Sequence, residues 1–331
     1  MSSPQLWSLL EQSACSRDIP LWGGVDLDQA LQYKDHLTHY KKWLADGLHG
    51  EMAYLERGFH RREDPARVLT GAKSVFCVGI PYRQEPVGSA SDAQTRRAQV
   101  RYARYLAGRD YHDVVKRLLD ECLTEVTAKW NNPDGSPLEW KSCVDTSAVL
   151  ERSWGFFSGL GWIGKNTMLI HPKVGSYFFI GVALLNVKMG RAPVSMKNYC
   201  GRCERCVKAC PTGALQATPG SPGILDSNQC ISYLTLEKRG TAQSGAGDRI
   251  TPWIAGCDVC QEVCPFTQKA AKVTRPFEDL DTSNQSNLLS DWDRLNSETP
   301  GQYQKRVQGT SLERVRFDDF QRNLKRLASE A

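Results

Sequence analysis

The 331-residue sequence has no apolar run that approaches the ~20 residues needed to cross a bilayer; its longest candidate runs from Tyr177 to Val187. Met1 to Trp7 contains neither a basic n-region nor an apolar h-region, and no twin-arginine signal is present. A cytoplasmic protein with no membrane association is therefore expected. Charge of one sign is also scarce. The 42 Lys and Arg against 37 Asp and Glu leave +5, too little by itself to mark a nucleic-acid binder. Internal repeats and low-complexity segments are missing. Gly159, Gly161 and Gly164 punctuate a bulky stretch, yet they match neither G-x-G-x-x-G nor a P-loop, so no nucleotide site is assigned. An apolar fraction of 40% and a charged fraction of 24% leave an ordinary globular protein with room for two domains.

Twelve cysteines are present, and eight of them organise the chain. Cys200, Cys203, Cys206 and Cys210, followed by Pro211, have the spacing C-x2-C-x2-C-x3-C-P of bacterial iron–sulfur proteins. Cys257, Cys260 and Cys264-Pro265 form a second block, and Cys230 stands between the two. Eight thiolates suffice for two [4Fe-4S] clusters. Three closely spaced cysteines wrap one cluster while the fourth reaches the other. This places Cys200, Cys203, Cys206 and Cys264 on one cluster and Cys210, Cys230, Cys257 and Cys260 on the second. A zinc site, usually built from two separated pairs, is the competing reading and suits this spacing poorly. Cys15, Cys77, Cys122 and Cys143 lie in apolar helix-like or strand-like runs and read as buried small hydrophobes.

Residues 1–60 read as helical, with Leu6, Leu9 and Leu10 on one face and a second helix from Asp26, its N-cap, to Leu44. Ser74 to Ile80 is a buried strand. Trp140 to Thr146 is a second strand, ending in a carboxylate, and Tyr177 to Leu185 a third that suits a sheet centre. Between them Val114, Val115, Leu118, Leu119, Cys122, Leu123 and Val126 form the apolar face of a helix that begins at Asp113, with His112 at its cap. Loops are expected at Val87–Thr95, Asn131–Pro137 and Gly240–Gly247, followed by a polar stretch from Asp279 to Ser286. Asp145 could cap the helix after it. If it lies in a closed pocket, burial would raise its pKa and make it a proton donor.

Several blocks occur in a fixed order: Met52 to Leu55, Tyr105 to His112, Val144-Asp145-Thr146, Gly159 to Thr167, the first cysteine run, Cys230 to Glu237, and Gly256 to Pro265. In this the chain resembles the epoxyqueuosine reductases over nearly its whole length. The resemblance implies an α+β fold: an N-terminal cobalamin-binding α/β domain (1–190), a ferredoxin-like domain with two [4Fe-4S] clusters (191–275) and a helical C-terminal tail (276–331). It implies cobalamin (vitamin B12) as a cofactor, with the clusters delivering electrons that bring cobalt to the Co(I) state. The implied substrate is tRNA carrying epoxyqueuosine in its anticodon stem-loop, whose cyclopentane epoxide is reduced to the alkene of queuosine. Asp145 falls on the family's proton donor. Arg57, Tyr105, Tyr111 and Ser232 occupy block positions suited to the corrinoid. A reducing partner such as flavodoxin or ferredoxin and a monomeric state are expected. His112 is not expected to ligate cobalt, because Asp110-Tyr-His112 is only half of D-x-H-x-x-G, with Val115 where the glycine belongs. Arg202, Arg205, Lys208, Lys238 and Arg239, with Lys305, Arg306, Arg314, Arg316, Arg322, Lys325 and Arg326 of the tail, are the cations available for RNA phosphates. A two-cluster electron-transfer module, a reductive dehalogenase and an RNA-binding protein with structural clusters are the alternatives.

Overall fold

The computed structural model describes residues 4–82, 100–106, 108–132, 135–194, 196–217, 222–240, 252–270, 280 and 292–329. Its first elements are α1 (Pro4–Cys15), β1 (Leu21–Asp26), α2 (Tyr33–Ala45), β2 (Ser74–Pro81), α3 (Tyr111–Lys129), β3 (Trp140–Cys143), α4 (Glu151–Phe157) and β4 (Phe178–Leu185). The four strands form one sheet in the order β1-β2-β4-β3, and every pairing is antiparallel. A parallel α/β sheet is therefore ruled out for this part of the chain, while the mixed α+β character stands.

β2 and β4 pair along their full length at the sheet centre, from Ser74 opposite Leu185 to Pro81 opposite Phe178. Both faces of this pair are covered, which is why both strands read as unbroken apolar runs. Phe76, Val78 and Ile80 turn to the face under α1 and α3, against Leu6, Leu10, Val115 and Leu119. Val75 and Cys77 turn to the opposite face, where Tyr33 of α2 stacks on Trp154 of α4 at 4.2 Å.

The N-terminal expectation needs correction. Leu21 to Asp26 is an edge strand, and helix α2 begins only at Tyr33. Asp26 caps nothing. Its buried carboxylate accepts the N–H groups of Met189 and Gly190 at 2.8 and 3.0 Å, fastening β1 to the chain that leaves β4. Gly23 explains why the strand escaped the apolar pattern, because a Cβ there would lie 1.8 Å from the Ser158 carbonyl oxygen. Cys77, Cys122 and Cys143 are buried as expected, whereas Cys15, the last residue of α1, is exposed.

The C-terminal part comprises α5 (Ile231–Leu236), β5 (Trp253–Ala255), α6 (Pro300–Val307) and α7 (Phe317–Ser329). β5 pairs in parallel with Arg101–Tyr102. Tyr102, Leu106, Ile254, Tyr303, Phe320 and Leu324 share one core, so α6 and α7 pack against two earlier stretches of chain. Asn323, itself buried, donates to the carbonyls of Thr235 and Ile254, both at 2.9 Å. The loops expected at 87–95 and 241–247 and the polar stretch at 281–286 lie outside the described residues, as does part of the turn at 131–137. Among the described residues no helix is long and apolar enough to cross a membrane.

Candidate active site

A cavity of about 2120 Å³ opens between the sheet, the cysteine segments and the turn around Ser311–Val315. That is more than twice the ~300–1,000 Å³ of an ordinary small-molecule site. Its wall includes Tyr105, Tyr111, Asp145 and Ser232, together with Arg314. Arg57 is exposed and is not part of that wall; Arg61 and Arg62 are.

Asp145 follows β3 and sits in a tight turn that the Thr146 N–H closes onto the Val144 carbonyl at 2.5 Å. Its φ is +53°, in the left-handed region that a non-glycine residue seldom adopts, and such strain concentrates at functional sites. The next helix, α4, has Leu150 at its N-cap with no side-chain cap, so Asp145 does not serve as one. Instead its Oδ2 accepts from the Tyr111 hydroxyl at 3.1 Å and from Arg314 Nη1 at 3.3 Å, and His112 Nε2 lies 3.3 Å away. The backbone N–H of Asp145 donates to Glu151 Oε1. Half of the side chain is accessible (51%), but that surface faces the cavity.

These partners overturn the expected protonation of Asp145. Burial raises its pKa, but the His112 hydrogen bond and charge, the Arg314 guanidinium and the Tyr111 hydroxyl outweigh burial and hold it at about 2. Asp145 is an ionised carboxylate, and the proton resides on His112. Burial lowers the imidazole's pKa, and hydrogen bonds to Asp110 and Asp145 reverse this and lift it to about 9. Nε2 lies 3.0 Å from Arg314 Nη1 as well. The charged ring donates from Nε2 to Asp145, whereas the neutral ring accepts there from Arg314. Glu151 is the second carboxyl of the site. Burial, then the Asp145 charge, keep its pKa well above the usual carboxylate range.

The cap of α3 also differs from expectation. Asp110 caps the helix, accepting the His112 N–H at 3.0 Å, and α3 begins at Tyr111. The Tyr111 ring stacks on Phe179 of β4 at 4.1 Å, almost parallel, which aims its hydroxyl at Asp145. Arg314 comes from the short helical turn Ser311–Arg314, between α6 and α7.

The motif cysteines lie close enough to act on one another. Cys206 is pushed up to about 11 by burial, then by Cys200 and, more weakly, by Cys264. Burial, then Cys230 and more weakly Cys210, raises Cys257; burial, then Cys257 and Cys230 and more weakly Cys206, raises Cys260. The influence of Cys206 on Cys260 crosses the division expected from spacing. All four thiols of the second set line the cavity, and none of the first set does. Among the described residues no three His, Cys, Asp or Glu side chains are gathered for a single metal ion.

Each set also receives a side-chain contact to sulfur. The buried Trp162 Nε1–H donates to Cys200 Sγ at 3.4 Å, and Thr212 Oγ1 lies 3.6 Å from Cys210 Sγ. Hydrogen bonds to cluster sulfurs raise the reduction potential. Trp162→Phe is therefore expected to make the potential of the first cluster more negative, as read by redox titration with electron paramagnetic resonance, with iron content unchanged. An unshifted potential would show that the contact has no such role.

The site depends on residues with no local signature in the sequence. Arg314 lies 169 positions from Asp145. Glu151 and Arg152 follow Asp145 closely but were not singled out. The Arg152 charge acts on Asp145, Glu151 and Cys260, which ties the aspartate turn to the second thiol set along one wall. The tail cations are largely engaged within the protein. Arg306 forms a buried pair with Glu298 at 2.8 Å, and Arg322 donates to Asp319 and to backbone carbonyls.

Comparison with known proteins supplies the context. Residues 199–267 match the family model of a 4Fe-4S double cluster binding domain, and residues 62–146 match that described as epoxyqueuosine reductase QueG, DUF1730. The epoxyqueuosine reductase of Cyclobacterium marinum is 33% identical over 307 residues, covering 92% of this chain and 91% of the relative. A crystal structure of epoxyqueuosine reductase with an epoxyqueuosine-modified tRNA-Tyr stem loop superposes with a TM-score of 0.82 at 25% identity, covering 98% of this chain and 81% of the other. The Bacillus subtilis enzyme, solved with its catalytic aspartate loop swung out of the active site, gives 0.80 at 25% identity, with coverage of 98% and 82%. Shared sequence along nine-tenths of its length, on a shared fold that includes a double-cluster segment, makes this chain a member of the epoxyqueuosine reductase family of oxidoreductases.

Proposed function

We propose that the cavity binds cobalamin beside the second of two [4Fe-4S] clusters and reduces the cyclopentane epoxide of epoxyqueuosine in tRNA to the alkene of queuosine. The observation that carries this reading is that one cavity wall holds both Asp145 and the four thiols of the second set. The residues fit the groups. The volume suits a macrocycle, and eight motif cysteines provide the thiolates that two clusters need. His112 is already held by Asp110, Asp145 and Arg314, which supports leaving it out as a cobalt ligand. Tyr105, Tyr111 and Ser232 are the side chains placed to hold the corrinoid. Bound cobalamin would supply a strongly reducing metal centre.

The protein's own part is proton supply and exclusion of water. The epoxide oxygen leaves as water, which requires two electrons and two protons. As charge builds on the departing oxygen, the His112 Nε2 proton is relayed to it through the Asp145 carboxylate in one concerted transfer, and solvent water supplies the second proton. Arg314 then donates to the neutral imidazole and stabilises it. The Tyr111 hydroxyl, whose pKa is raised by burial and then by the Asp145 charge, remains a donor throughout. In the Bacillus subtilis relative a catalytic aspartate sits on a loop that can swing out. The strained turn at Asp145 is the matching hinge here. Lys42, Arg61, Arg67 and Lys141 are exposed along the cavity wall, where RNA phosphates would pass as the modified base enters.

The test is anaerobic reconstitution with iron, sulfide and cobalamin, followed by gel filtration and an assay on epoxyqueuosine tRNA with mass analysis of its nucleosides. Co-elution of corrinoid with protein and formation of queuosine are expected. Clusters without retained corrinoid would leave only an electron-transfer module. The pH dependence is also set. Because the folded pKa of His112 lies above 6.5, the stability from its pairing is full below pH 6.5 and is lost as pH rises through about 9. Turnover should fall over the same range, and His112→Gln should remove that limb from the pH–rate profile. A limb that persists in the variant would reassign it to another group.

A further inference from the structure

The loop that carries Cys200, Cys203 and Cys206 also carries Arg202 and Arg205, with Lys197 before it and Lys208 after it, and all four cations are exposed. From residue 197 to 208 the only acidic side chain is Glu204, 3.4 Å from Lys208, so the segment has four positive charges against one negative. Among them stands Tyr199, 51% exposed, with its ring against Trp162 at 5.0 Å. Trp162 in turn donates to Cys200 Sγ. An exposed aromatic, flanked in sequence by four exposed cations, thus packs on the residue that contacts Cys200.

We propose that this face docks an acidic one-electron carrier protein. The proposal rests on the reading above, that both thiol sets hold clusters. The second set lines the cavity and the first does not, so an electron from outside enters through the first set and the face that covers it. Opposite charge steers a carrier to this face, and an apolar centre with a polar rim is the composition of a protein interface. RNA is the other polyanion of the system, and the geometry assigns it elsewhere. None of Lys197, Arg202, Arg205 or Lys208 borders the cavity, whereas Lys42, Arg61, Arg67 and Lys141 do. In each encounter the carrier loses one electron and the first cluster gains it, with no bond made or broken. Two encounters supply the two electrons that, with two protons, convert the epoxide to alkene and water.

The test uses the holoenzyme carrying Arg202→Glu and Arg205→Glu together. Cluster bleaching is followed by anaerobic stopped flow with reduced flavodoxin, at low and high salt, and separately with dithionite. The flavodoxin rate is expected to fall about tenfold or more at low salt and to lose its salt dependence. Dithionite reduction and binding of epoxyqueuosine tRNA should be unchanged. An unaltered flavodoxin rate, or loss of tRNA binding with normal flavodoxin reduction, overturns the proposal; the latter would give the face to RNA. If the double reversal lowers iron content, Lys197→Glu with Lys208→Glu is read by the same criteria. Failure of the cluster reading would show itself separately, as wild-type protein with no cluster absorbance to bleach.

Discussion

Asp145→Asn is expected to keep its iron and to match the wild type in binding added cobalamin while losing turnover by roughly 10²–10⁴, the range of general acid–base catalysis. Asparagine is the apt replacement. It tolerates a positive φ better than most residues, so the turn at +53° should survive. Its amide can still accept from Tyr111 and Arg314, but it cannot take a proton from His112 and pass it on. A folding defect is thus separated from a chemical one. The measurement is single-turnover formation of queuosine under dithionite, beside the absorbance spectrum of the loaded variant. A rate near that of the wild type with an unchanged spectrum would remove Asp145 from the proton path.

Arg104→Ala should be the most destabilising single change near the clusters, costing about 3–5 kcal/mol, as breaking a buried ion pair does. Arg104 Nη1 reaches Asp258 at 3.1 Å, Glu262 at 2.7 Å and the Tyr177 hydroxyl at 3.0 Å. The Arg104 backbone N–H donates to the same Asp258 carboxylate at 2.7 Å. Asp258 is fully buried, between two cysteines of the second set. Burial pushes its pKa up to about 6, even against the pull of Arg104. Without the guanidinium it rises further, and a carboxyl with a raised folded pKa loses stability as pH climbs from its unfolded value toward the folded one. The defect should therefore be smaller near pH 5 than near pH 8. Thermal unfolding of the iron-loaded variant, with iron retained as a second readout, checks both statements. Equal melting points for variant and wild type at the higher pH would contradict them.

What could be read in the sequence, and what could not, divides by range. Cysteine spacing is a local property, and it was enough to mark the double-cluster segment matched at residues 199–267. β2 and β4 were legible because burial on both faces leaves nothing polar to break the run. β1 was not, because Gly23 and Gly24 lie where other residues would clash, and glycines look like punctuation. Asp145 lines the cavity, but its charge state differs from the one expected. A sequence can suggest that a carboxyl is enclosed; it cannot show that His112 and Arg314 converge on it. The cations of the last fifty residues looked available for RNA phosphates, yet Arg306 is paired with nearby Glu298, Arg322 with Asp319 and the Leu234 carbonyl, and Arg314 with distant Asp145. Arg57 fell outside the cavity because the short helix Ala53–Arg57 ends there and the next, Phe59–Glu63, brings Arg61 and Arg62 to the wall.

The position of Arg314 also sets an order of events during synthesis. At ~5–20 residues per second, the ribosome adds the 169 residues separating it from Asp145 in on the order of 10–30 s. Once β4 has emerged and paired with β3, the aspartate turn and the sheet beneath it can exist without the guanidinium, and the chamber still lacks the edge formed by Ser311, Arg314 and Val315. The side that closes last is made last. The proton-handling group is complete only when Arg314 arrives.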